Sequence, residues 1–91
     1  MIVPLKLMKQ YLRVDYDEDD NLIRKLLHAA ERLCMDIIRT DDPAELAAAE
    51  NAKAAIMYAT AYLYEHREDA DHHALALTLR ALLFGARKEV F

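Results

Sequence analysis

Residues 18–40 have the sequence EDDNLIRKLLHAAERLCMDIIRT, in which apolar side chains recur every three or four positions. The series begins at Leu22 and ends at Ile38, so its members lie on one face of a helix. Acidic residues precede it: Asp17 is placed to cap the helix, and Asp20 occupies the position of a capping-box acid. The pattern therefore predicts a long amphipathic helix over 18–40.

The composition around this stretch favours helices throughout. Of 91 residues, 16 are Ala and 14 are Leu, which are strong helix formers, and only one is Gly. Val, Ile and Thr together number 11, too few to cover the faces of a sheet. We therefore expect an all-α fold. Because much of the apolar surface is small Ala, the core should be marginal. The single cysteine, Cys34, rules out an intramolecular disulfide, which leaves association or a metal to stabilise the fold.

Three further helices are predicted, giving a bundle of about four. Pro4 suits the first position of a short helix over 4–13. The series Thr40-Asp41-Asp42-Pro43 breaks the long helix, and Asp42 is placed to cap a third helix over 43–67. A fourth covers 71–85, where Gly85 marks its end. The whole chain, 1–91, is expected to be one domain, with 86–91 as a C-terminal tail.

The predicted third helix differs from the others in its distribution of alanine. Between Ala47 and Ala61 the alanines lie on several faces, whereas a surface helix with one partner needs a single apolar stripe. We therefore expect this helix to pack on more than one neighbour, either centrally or against another subunit.

Charge and length exclude several function classes. The formal net charge of −4 argues against a protein that neutralises phosphate groups. The longest uncharged run, residues 54–64, is too short to cross a membrane, and the N-terminus lacks the apolar region of a signal peptide. One glycine rules out a glycine-rich phosphate loop. We expect a cytoplasmic protein without a cofactor.

Catalytic and metal-binding patterns are weak. The four histidines lack the spacing of metal ligands, and Cys34 lies on the apolar face of its helix, where burial should raise the pKa of the thiol. Arg67 and His72 match the Arg-x4-His spacing of helical HEPN-type ribonucleases. A ribonuclease or toxin-antitoxin module is therefore one alternative, and a generic oligomeric helical domain is another.

The order of several short motifs is more specific than any one of them. In chain order, the motifs are residues 5–15 (LKLMKQYLRVD), residues 17–23 (DEDDNLI), Ala29-Ala30, Ala54-Ala55-Ile56, Tyr64-Glu65-His66-Arg67-Glu68, and Leu82-Leu83 followed by Arg87. Together they resemble the small head-tail connector, or adaptor, proteins of tailed phages and prophages. The resemblance covers about residues 3–87 and includes the Tyr-x-x-Arg-Glu and Leu-Leu-x-x-x-Arg signatures of that family.

The resemblance implies a structural protein without catalytic activity. Such a connector forms a ring, dodecameric in the virion, beneath the portal of the DNA-filled capsid. It joins the portal to a stopper or tail protein and surrounds the channel through which DNA passes without specific binding. The expected locations are the bacterial cytoplasm during assembly and then the head-tail junction of the virion.

Ring formation by cyclic, heterologous contacts requires two different faces on each subunit. The residues expected at such contacts are basic or aromatic: Lys6, Lys9, Tyr58, Tyr62, Tyr64, Arg80, Arg87 and Phe91. A second group consists of carboxylates that could line the channel or an interface: Asp17, Glu18, Asp19 and Asp20. Facing the channel, these acids would repel DNA over roughly 8 Å at physiological salt.

Two pairs are expected to be structural anchors by family match. Arg13 with Asp15 would fix the first helix, and Glu65 with Arg67 would fix the end of the third. The alternative is that both are ordinary surface pairs, which are worth about 0–1 kcal/mol.

Overall fold

The computed structural model describes residues 2–84 and confirms the all-α class. Five helices follow one another in this part of the chain: α1 (Leu5–Leu12), α2 (Asp20–Ile38), α3 (Pro43–Ala48), α4 (Ala52–Glu65) and α5 (His72–Leu82). They form a small bundle in which α2 and α4 make the most extensive pairing. No described helix is long and apolar enough to cross a membrane.

The helices α1 and α2 both end in a residue with left-handed backbone rather than in glycine. Arg13 has φ 60° and ψ 40°, and Arg39 has φ 62° and ψ 50°. Beyond each, a backbone N–H reaches back into the last turn: Val14 donates to Lys9 at 2.9 Å, and Thr40 donates to Met35 at 3.0 Å. These bonds satisfy carbonyl groups that a helix end leaves unpaired.

The predicted start of the second helix is wrong by two residues. The helix α2 begins at Asp20, and the side chain of the preceding Asp19 makes no capping hydrogen bond. Asp17 does not cap the helix either, because its carboxylate pairs with Lys9 at 2.8 Å. Asp17 and Asp20 instead both pair with Lys9 of α1, and these contacts take the place of the predicted capping box.

The single helix predicted over 43–67 is also wrong, since the structure divides it into α3 and α4. Asp42 does cap α3 as predicted, accepting a 3.0 Å hydrogen bond from the N–H of Ala44. The break follows at Ala49, which is extended, and at Asn51, which has φ 66°. Asparagine tolerates this conformation better than most residues. Turning the chain here allows Leu46 to be completely buried while α4 packs along α2.

The expectation that the alanine-rich segment packs on several neighbours is confirmed for α4, which contacts α1, α2, α3 and α5. The alanines Ala52, Ala55 and Ala59 are buried on it at intervals of three and four residues. Small side chains at these positions permit close approach to α2. Since α2 also contacts all the other helices, α2 and α4 together form the centre of the described chain.

The last described helix begins one residue later than predicted. Asp71 caps α5, accepting a 3.0 Å hydrogen bond from the N–H of Ala74. α5 buries Leu75 and Leu79 and ends at Leu82, whereas the prediction extended to 85. Gly85, the predicted end, and the tail 86–91 lie outside the described residues.

Candidate functional site

An open groove lies between the end of α1 and the C-terminal half of α4. Its volume is about 550 Å³, and we call it the tyrosine groove after its lining. The residues that line it are Tyr11, Leu12, Arg13, Tyr58, Ala61, Tyr62, Tyr64, Glu65 and His66. Five of these, Arg13, Tyr58, Tyr62, Tyr64 and Glu65, are residues that the sequence marks as candidates for interfaces or anchors. The fold thus brings together positions from two distant parts of the chain.

Tyr64 fastens the end of α4 to the loop before α2. Its hydroxyl donates a 2.6 Å hydrogen bond to Asp19 Oδ2, and the hydroxyl of Tyr16 lies 3.2 Å away. Tyr16 is also within 3.4 Å of the same carboxylate oxygen. The hydrogen bond to Asp19 raises the pKa of Tyr64 well above its usual value, because ionised Tyr64 would lose it and face a negative charge.

Lys9 fastens α1 to the same loop. Its Nζ lies 2.8 Å from Asp17 Oδ1 and 2.8 Å from Asp20 Oδ1, and its side chain is only 15% exposed. Apart from this ion pair, Asp20 Oδ1 is buried without a hydrogen-bond partner. The hydrogen bond from Lys9 lowers the pKa of Asp17, and the two carboxylates raise the pKa of Lys9. The lysine expected at an interface therefore has an intramolecular role.

The four candidate acids accordingly have different environments. Asp17 and Asp20 pair with Lys9, and Asp19 accepts the hydrogen bond from Tyr64. Glu18 is exposed and has no ion-pair or hydrogen-bond partner among residues 2–84. Of the four acids, Glu18 is therefore the one whose charge takes part in no contact within the described subunit.

Tyr62 lies in the wall of the groove that α4 forms, and two contacts fix its position. Its hydroxyl accepts a 2.8 Å hydrogen bond from the N–H of Asp71, which links α4 to the start of α5. Its ring stacks on His66 with the centroids 4.3 Å apart. Tyr58, one turn earlier, is 39% exposed, and its hydroxyl has no partner in the described chain. The groove therefore combines the fixed rings of Tyr62 and Tyr64 with two exposed tyrosines, Tyr11 and Tyr58, that are free to contact another molecule.

All four candidate anchors are exposed. Arg13 and Glu65 both line the tyrosine groove, but neither side chain makes a hydrogen bond or ion pair with any described residue. The same holds for Asp15. The Arg67 guanidinium lies 5.2 Å from the centroid of the Tyr64 ring and makes a cation–π contact with it.

The remaining interface candidates lie away from the groove or outside the described chain. Lys6 on α1 and Arg80 on α5 are exposed and have no described partner. Arg87 and Phe91 lie outside residues 2–84, so their placement stays a prediction. The alternative ribonuclease pair consists of Arg67, held over Tyr64, and His72, an exposed residue at the start of α5.

The described residues contain no cluster of His, Cys, Asp and Glu that could hold a metal ion. Cys34 is buried, and burial raises the pKa of its thiol to about 12, as expected from its place on the apolar face of α2. The thiol is therefore part of the core.

Sequence reasoning missed Tyr16 and Tyr11. Tyr16 is the one aromatic residue inside an acidic loop, and it contacts both Tyr64 and Asp19. An amphipathic ring among carboxylates is a signal that a hydroxyl will donate to one of them. Tyr11 is 53% exposed at the groove, and nothing in its sequence surroundings distinguishes it from a surface residue.

The chain matches a known protein family over nearly its whole length. A family model described as phage gp6-like head-tail connector protein matches residues 3–90. The matched range includes both walls of the tyrosine groove and the acidic loop. No curated protein and no solved structure matches the chain significantly.

Proposed function

Since this chain belongs to the phage gp6-like head-tail connector family, we propose that its subunits form a ring beneath the portal of the filled capsid. The family is a structural component of phage particles and is not a known enzyme family. The ring, dodecameric in the virion, joins the portal to a stopper or tail protein. The observation that carries this proposal is the family match over residues 3–90.

The surface of the described chain has features that suit a ring subunit. The exposed aromatic residues Tyr11 and Tyr58 lie at the tyrosine groove, whereas the exposed Leu77 and Phe84 belong to α5 and the turn after it. A closed ring of identical subunits needs two such different faces. Tyrosine and other aromatic residues are enriched at protein interfaces, where the aromatic group is buried and a tyrosine hydroxyl remains in contact with solvent.

The acidic loop supports a place beside the DNA channel. Lys9 is the only described cation that pairs with its carboxylates, and it contacts two of the five acids between Asp15 and Asp20. The loop therefore keeps a net negative charge. Facing the channel, that charge would keep DNA from binding within about one Debye length, roughly 8 Å at physiological salt.

Assembly would take place in the bacterial cytoplasm and end with the connector at the head-tail junction. Electron microscopy of the protein mixed with the portal protein of the same phage tests the proposal directly. The expected result is a second ring stacked on the portal ring, with an open channel. Failure of the protein to bind the portal, at concentrations where it is folded and monodisperse, would contradict it.

A further inference from the structure

The outward face of α5 carries an apolar stripe with no partner in the described chain. It consists of Ala74, Leu77, Ala81 and Phe84, spaced three, four and three residues apart, which we call the α5 stripe. All four are exposed, and the large members are 50% exposed at Leu77 and 75% at Phe84. Large apolar residues on one helical face, open to solvent, indicate a surface that another molecule covers.

The tyrosine groove and the α5 stripe lie on different flanks of the bundle. The helices α1 and α5 both pack on the α2–α4 pair but make little contact with each other. The groove is lined by α1 and α4, whereas the stripe lies on the face of α5 opposite its buried residues Leu75 and Leu79. Two complementary surfaces on different flanks are the arrangement that head-to-tail contacts in a ring require.

Charge adds to this complementarity. Arg80 is exposed beside the stripe, one turn after Leu77, and has no described partner. Glu65 and Arg13 line the groove, and Glu68, Asp69 and Arg67 line the adjoining cavity next to Tyr64, so that three carboxylates face two guanidinium groups and the edge keeps a net negative charge. An apolar stripe with a basic edge therefore matches an aromatic groove with an acidic edge.

We propose that the α5 stripe of one subunit packs into the tyrosine groove of a second copy of this chain, with Arg80 facing the acids at the groove edge. This inference rests on the proposed ring and assigns its two faces. Pairing of two α5 stripes would bring two Arg80 side chains together and leave the groove empty. The heterologous contact instead covers both surfaces and pairs opposite charges.

Site-directed crosslinking tests this contact in the assembled protein. Leu77→Cys and Tyr58→Cys are prepared as separate chains, mixed, assembled with the portal and treated with a short bis-maleimide. We expect a crosslinked dimer in the mixture and its loss when either variant is used alone. A chain carrying both substitutions should give a ladder of crosslinked species.

The molecule offers two matched controls. Wild-type protein should give no crosslink, because Cys34 is buried and its thiol has a raised pKa. Lys25→Cys, on the exposed face of α2, should not crosslink to Leu77→Cys. Unchanged thermal unfolding of each variant shows that the fold is intact.

Any other outcome of the crosslinking experiment would contradict the inference, and the outcomes differ in what they say about the proposed function. Rings without the mixed crosslink would mean that other faces meet, and the proposed function would stand. A crosslink between two Leu77→Cys chains would show an isologous contact, and one from Leu77→Cys to the portal would show that the portal covers the stripe. Absence of any assembly, with or without portal, would contradict the proposed function together with this inference.

Discussion

The hydroxyl of Tyr64 donates a 2.6 Å hydrogen bond to the carboxylate of Asp19, which precedes it by 45 residues. This contact joins the C-terminal end of α4 to the loop that precedes α2. Together with Lys9, which joins α1 to the same loop, it fixes the relative positions of three helices at one end of the bundle. The tyrosine groove lies beside these contacts, so its shape depends on them.

Tyr64→Phe should destabilise the protein by about 1–2 kcal/mol, because a hydrogen bond to a partly buried carboxylate is lost and its ring packing is kept. For a chain of this size, the melting temperature should fall by roughly 4–8 °C for each kcal/mol. Tyr58→Phe is the control, since the hydroxyl of Tyr58 has no described partner. Equal melting temperatures of the two variants would show that the Asp19 contact contributes nothing.

Stability should depend on pH at both ends of the scale. The pKa of Asp17 is lowered in the folded protein, so its contribution is present above its unfolded pKa of 3.8 and disappears as the pH falls through the lower folded value. The pKa values of Lys9 and Tyr64 are raised, so their contributions are present below their ordinary values of 10.5 and 10.0 and disappear at higher pH. Urea unfolding across pH 2–12 measures how the free energy of unfolding decreases at low pH, the acid limb, and at high pH, the alkaline limb.

Two variants separate these contributions. Lys9→Met should flatten the acid limb that Asp17 contributes and remove the part of the alkaline limb that Lys9 contributes. Tyr64→Phe should remove the part of the alkaline limb that the Tyr64 hydroxyl contributes above pH 10. Alkaline limbs that are parallel in wild type and Tyr64→Phe would contradict the assignment to this hydroxyl.

Arg39→Gly should stabilise the protein. Arg39 ends α2 with φ 62°, and its exposed side chain has no described partner, so the substitution removes backbone strain and no contact. A non-glycine residue in this conformation costs roughly 1–2 kcal/mol, and part of the gain is offset by the greater freedom of glycine in the unfolded chain. We expect a net gain of about 0.5–1 kcal/mol by urea unfolding.

The control is Lys25→Gly, in the interior of the same helix, where the exposed side chain likewise has no described partner. There glycine should cost about 0.5–1 kcal/mol, because the backbone is already in the ordinary helical region. A loss of stability at both positions would mean that Arg39 is not strained.

The sequence predicted the parts of the fold that depend on local patterns. The apolar spacing of α2 and the capping residue Asp42 are local signals, and the structure agrees with them. The break between α3 and α4 was not predictable from propensity, since alanine favours a continuous helix on both sides. It is decided by the burial of Leu46, which depends on where α2 lies.

The same distinction applies to the candidate site. The tyrosines of α4 and the acids of the loop stand out in the sequence, but their pairing depends on how α1, α2 and α4 meet. Asp19 with Tyr64 and Asp17 with Lys9 are tertiary contacts, which no spacing along the chain encodes. Sequence reasoning therefore marked the residues of the site and assigned several of them to interfaces, whereas the fold uses Lys9 and Tyr64 within the subunit.

Glu18→Lys should slow DNA ejection from assembled virions without affecting assembly. Glu18 is exposed and unpaired among the described residues, so reversing its charge leaves the contacts of Lys9 and Tyr64 in place. A cation at the channel would attract phosphate groups instead of repelling them. Glu50→Lys, at an exposed acid between α3 and α4, is the control for a change in net charge. Identical ejection rates for wild type and both variants would contradict a channel position for this loop.

Ala59→Leu should destabilise the bundle by about 1–3 kcal/mol, because a larger side chain must be accommodated in a packed core. Ala59 is completely buried on α4, where small residues allow the close pairing with α2. Ala54→Leu makes the same chemical change on the exposed face of α4 and should alter stability by less than about 0.5 kcal/mol. Thermal and urea unfolding of both variants compare the two faces directly. If Ala59→Leu were as stable as Ala54→Leu, the α2–α4 contact would have to be loosely packed, and the alanines of α4 would need another explanation, such as a contact between subunits.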